Sequence, residues 1–74
     1  MRTELFPHNG TTYTLEAFTL DNGWNALARL EGRVAVGPLR LTIEQAADYG
    51  GNDAAITVLF NELKARIRAG RFNA

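Results

Sequence analysis

At 74 residues the chain suffices for one domain and not two, and a domain of this size buries only about 60% of its unfolded surface, so its core is thin. Hydrophobic residues make up 46% and charged residues 22%, a globular balance, while the absence of cysteine excludes disulfides, thiolate metal ligands and thiol nucleophiles. Eight Lys and Arg offset eight Asp and Glu, so no whole-molecule field draws the chain to nucleic acid or to an anionic membrane.

Met1-Arg2-Thr3-Glu4-Leu5 lacks the apolar run of a signal peptide, and no segment is long enough to span a bilayer, so a cytoplasmic location is expected and no membrane partner. No repeat, low-complexity tract or linker interrupts the chain, which reads as a single domain over 1–74. Asn9-Gly10 suggests that Glu4-Leu5-Phe6 forms an additional N-terminal strand turning into the next one. His8, the single histidine, lies beside Pro7 and that turn and reads as a solvated loop residue, so no catalytic triad can be assembled.

Thr11 to Leu20 is rich in β-branched and aromatic residues and runs directly into Asn22-Gly23, a strand followed by a tight hairpin. With Asn22-Gly23 as a type I′ loop, Asp21 pairs with Trp24, Ala17 faces Ala28 and Leu15 faces Leu30 on one side of the sheet. Glu16 then faces Arg29, and Phe18 faces Leu27, on the other. A one-residue slip would set Leu15 against Arg29 and mix the faces. A second turn at Glu31-Gly32 leads to Arg33-Val34-Ala35-Val36, and Gly37-Pro38 marks an edge or bulge before Leu39-Arg40-Leu41, because proline has no ladder donor.

Thr42-Ile43-Glu44-Gln45 has the form of a capping box and predicts a short helix to about Tyr49, ended by Gly50-Gly51. Asn52 is placed to cap a second helix in which Ile56, Leu59, Phe60, Leu63 and Ile67 recur at helical spacing until Gly70. Burying these side chains at about 2 kcal/mol each is comparable with the net stability of a small domain, so this helix is structural first. Ala17, Ala26, Ala28 and Ala35 offer little bulk, and their face of the sheet is where such a helix can approach closely. The predicted fold is α+β: an antiparallel meander of three to four strands packed on a long C-terminal helix, with a short helix before it, in the order β-β-β-α-α.

Chemistry is sparse in the remaining residues. Asp48 and Asp53 flank Gly50-Gly51 as helix-end carboxylates, and that turn lacks the lysine and spacing of a phosphate-binding loop. No catalytic residue, metal site or cofactor is expected. Lys64, Arg66, Arg68 and Arg71 crowd the end of the chain, where they complement the helix dipole or provide a nucleic-acid contact limited to the phosphate backbone. Trp24 reads equally as a partner-binding anchor or as an edge of the core. The second sheet face carries Phe18, Leu20 and Leu27, with Val34 and Val36, around the Glu16 and Arg29 pair. One helix cannot cover both faces, so this one is either closed by the N-terminal segment with Leu5 and Phe6 or awaits a partner.

The order of a strand, Asp21-Asn22-Gly23-Trp24, a strand and then Gly37-Pro38-Leu39-Arg40-Leu41-Thr42-Ile43-Glu44-Gln45-Ala46 resembles HicB-type antitoxin domains, in which a D-G hairpin precedes a T-x-x-E-A helix start. It covers about the middle half of the chain. The P-D-L-P-G segment of that family is absent, and Gln45 replaces its acidic capping residue, so no functional residue is carried over. In length and plan the chain is also similar to small phage-encoded inhibitors such as anti-CRISPR proteins. Both resemblances imply action by protein binding. The expected function is accordingly that of a non-enzymatic module with a protein partner, either a second copy or a larger target, using Phe18, Leu20, Trp24, Leu27, Val34 and Val36. The alternative is nucleic-acid binding through Lys64, Arg66, Arg68 and Arg71.

Overall fold

The computed structural model describes residues 1–73 and contains β1 (Arg2–His8), β2 (Thr11–Leu20), β3 (Gly23–Leu30), β4 (Arg33–Thr42), α1 (Ile43–Ala46) and α2 (Asn52–Arg68). The strands form one antiparallel sheet in the order β1-β2-β3-β4, and α2 lies across one of its faces. This is the α+β meander expected, with the N-terminal segment as a full fourth strand. His8 closes that strand instead of lying in a loop: its ring stacks on Phe6 with centroids 6.1 Å apart.

Asn9-Gly10 and Glu31-Gly32 make the tight turns with two positive φ angles, at 51° and 78° and at 52° and 82°. Asn22-Gly23 does not. Leu20 pairs with Gly23, the loop is Asp21-Asn22, and Asn22 keeps a negative φ. Leu15 therefore faces Ala28, Ala17 faces Ala26 and Glu16 faces Leu27, a register displaced by two residues from the expected one. The cause is β4. Gly23 pairs with Thr42, so close that a Cβ on it would stand 2.1 Å from the Leu41 carbonyl oxygen, and the Ile43 N–H donates to the Asn22 carbonyl at 3.0 Å. Two residues is one side-chain period, so the faces themselves are as expected. The Glu16–Arg29 pair also forms, now on the diagonal: Arg29 Nε donates to Glu16 Oε1 at 3.0 Å.

The core lies between the sheet and α2. Leu15, Ala17, Ala26 and Ala28 meet Ile56, Leu59, Phe60, Leu63 and Ile67, all buried, with Tyr13, Val36 and Leu41 closing the sides. Small alanines at the centre of the sheet let the large helix side chains fill the gap. Thr42 and Gln45 form the capping box, each side chain accepting from the other's backbone N–H, but α1 ends at Ala46, short of Tyr49. Asn52 is the first residue of α2 and does not cap it; Gly51 holds the cap position without a side-chain bond. Asn52 Oδ1 instead accepts from Trp24 Nε1 at 2.6 Å. At the other end Arg71 N–H donates to Arg66 O and Gly70 N–H to Ile67 O, with Gly70 at φ 71°, which is a Schellman stop.

Beyond that stop the chain turns back onto the sheet. Phe72 stacks on Tyr13 with centroids 6.0 Å apart, and Asn73 donates from its backbone N–H to Ala35 O and from Nδ2 to Gly37 O. These bonds cover the outer edge of β4 at its irregular centre.

Candidate protein-binding face

The sheet face away from α2 is built by strand alternation. Reading across the register, Leu5, Thr14, Arg29 and Val34 form one row, Thr3, Glu16 and Leu27 the next, then Phe18, Asn25 and Arg40, with Leu20 and Gly23 at the hairpin end. No described element lies over these rows. Leu27 is nevertheless only 8% exposed and belongs to no part of the core beneath the helix. Phe18, Leu20 and Val34 are partly exposed and Leu5 is 66% exposed. Glu16 and Arg29 neutralise each other beside Leu27, with the carboxylate the more buried partner.

Two expected members of this face are elsewhere. Val36 is buried beneath the helix at 1% exposure. Between Arg29, opposite Val34, and Ala28, opposite Val36, β4 takes two steps for one on β3. Ala35 is thus the extra residue of a bulge, and an extra residue reverses the alternation that would otherwise keep Val34 and Val36 together. Trp24 stands opposite Leu41 on the helix side, packed against the core and bonded to Asn52, so it takes the core-edge role and cannot serve as an anchor on the open face. The N-terminal segment does not close the open face either. It joins the sheet as an edge strand with Phe6 on the helix side and Leu5 exposed, and so enlarges the open face.

The four C-terminal cations do not form one patch. Lys64 pairs with Glu4, and both Lys64 and Arg68 lean on the Phe6 ring, at 5.8 Å and 5.1 Å from its centroid. Arg66 turns toward β4, where it lies 3.6 Å from Glu62 and lines a shallow cleft with Leu39, Leu41, Val58 and Leu59. Arg71 is exposed past the Schellman stop. Periodicity could have shown this split, because positions 64 and 68 share a helix face that 66 does not. Replacing Arg66, Arg68 and Arg71 together by Gln should therefore leave function unchanged within about twofold. A nucleic-acid surface would instead show as wild-type binding with a log–log salt slope near about −3 that the triple variant loses, measured by fluorescence anisotropy across a salt series.

Asp48 and Asp53 are exposed; Asp53 lies 3.8 Å from Arg2 and its carbonyl accepts from Thr57 Oγ1. Among the described residues no three His, Cys, Asp or Glu side chains cluster as metal ligands would, and no helix is long and apolar enough to cross a membrane. No family model, curated protein or solved structure matches this chain.

Proposed function

We propose that this protein is a small, non-enzymatic, cytoplasmic binding module that acts by protein association through its open sheet face, as an inhibitor or antitoxin-like component of a phage or mobile element does. The observation that carries this reading is the one-sided sheet. Among the described residues four strands present two faces, one long helix covers one of them, and the other holds Phe18, Leu20, Leu27 and Val34 around a self-neutralised ion pair. Apolar side chains set among polar ones on a paired sheet are the ordinary make-up of a protein interface, which is no more apolar overall than the rest of a surface.

Affinity capture from the native host tests it. Wild type should retain a stoichiometric protein partner, Phe18→Asp should lose it by at least about tenfold, and the arginine-to-glutamine triple variant should keep it. The reverse pattern, retention by Phe18→Asp and loss by the triple variant, would move the function to the end of α2.

A further inference from the structure

We infer that the partner seated on the open sheet face is a second copy of this chain, packed face to face as an isologous dimer. The inference rests on the reading of that face as the association surface. It adds who sits there.

Size supports it. Strands of up to 10 residues, at about 3.3 Å per residue and about 4.8 Å between strands, give four strands an outline of roughly 600 Å² before side-chain relief is added. A standard interface takes about 800 Å² from each partner. With side-chain relief added, the whole face comes close to that area on a molecule exposing 4693 Å² in all. A chain of 74 residues whose core is covered from one side is also one for which association adds the burial that its size withholds.

Charge supports it as well. Glu16 and Arg29 satisfy each other at 3.0 Å, so this part of the face asks for no countercharge, and the chain's formal charge of zero sets up no repulsion between copies. A strongly acidic partner would find its unpaired complement on the described face only at Arg40, and a strongly basic one would find none.

Register is compatible with a symmetry axis along the strands and disfavours one through the Glu16 row. A two-fold running across the strands through the Glu16 row would press Glu16 onto its own symmetry mate. A two-fold along the strands, between β2 and β3, instead lays each β2 over the β3 of the second copy. Glu16 then meets Leu27, Phe18 meets Asn25, and Leu20, a large side chain, meets Gly23, which has none. Sheets stacked in this way sit about 10 Å apart with their inner side chains interleaved.

Sedimentation equilibrium of the full chain, from about 10 to 300 µM, decides it. Wild type should approach twice the 8.2 kDa chain mass, and Phe18→Asp and Leu20→Asp should both sediment at 8.2 kDa with unchanged circular dichroism. Leu20 is at the end of its strand, so Leu20→Asp keeps the test decisive if Phe18→Asp unfolds. A wild type that stays monomeric throughout, or a dimer that persists in a folded variant, overturns the second-copy inference. A monomeric wild type that still loses a captured protein through Phe18→Asp overturns this inference alone. If a dimer forms and dissociates in both variants while capture is unaffected, the dimer stands and the reading of the face as the surface for a different protein falls.

Discussion

Replacing Gly23 by alanine should destabilise the protein by at least about 4 kcal/mol, a large part of the net stability of a small domain. The added Cβ would stand 2.1 Å from the Leu41 carbonyl oxygen and 2.9 Å from the Thr42 Cα. Both are backbone atoms in a paired strand, so neither can swing aside as a flexible side chain would. Gly23 also has φ 155°, where L side chains are strained whatever the space around them. Gly32→Ala separates the two effects, since Gly32 has φ 82° but open space around its Cβ position. It should cost only about 1–2 kcal/mol. Urea denaturation of the two variants measures the difference, and equal midpoints would mean that β4 does not approach Gly23 as closely as described.

Leu63→Ala should cost about 2–5 kcal/mol. Leu63 is fully buried in one cluster with Ala17, Ala26 and Ala28. Alanines have no length with which to fill the space a leucine leaves, so a cavity toward the sheet would persist. Tyr49→Ala is the control. At 48% exposure and outside the sheet it should change stability by less than about 0.5 kcal/mol. An unchanged denaturation midpoint for Leu63→Ala would remove α2 from the alanine face.

The long helix was legible because five large apolar residues at helical spacing admit one reading, and the alanine strip that receives it was legible from strand alternation alone. The capping box was legible because it is a local exchange between Thr42 and Gln45. What escaped were features fixed by distant backbone. Asn22-Gly23 has the composition of a type I′ loop, yet Gly23 is recruited by β4, eighteen residues on at Leu41, and the hairpin shifts to suit. A single sequence shows which residues favour a turn but not which backbone will crowd against it. Val36 escaped for a related reason: the irregularities around Ala35 and Gly37-Pro38 break the alternation on which its face was assigned. Asn52 resembled a helix cap, but its acceptor is taken by the Trp24 indole, a contact 28 residues apart that no local pattern encodes. On the candidate face, Phe18, Leu20 and Leu27 share a side in either register because the error was an even number of residues.

Asn73 has a consequence for how copies of this chain can join side by side. A sheet adds strands at its two borders, and unlimited growth requires every copy to offer both, one to receive and one to extend. Here the β4 border is fastened at Ala35 and Gly37 by Asn73, and Pro38 contributes no donor beside them. The β1 border carries no such fastening. Two molecules meeting at β1 use up each other's more open side, so lateral strand pairing there favours a closed pair over a growing fibre.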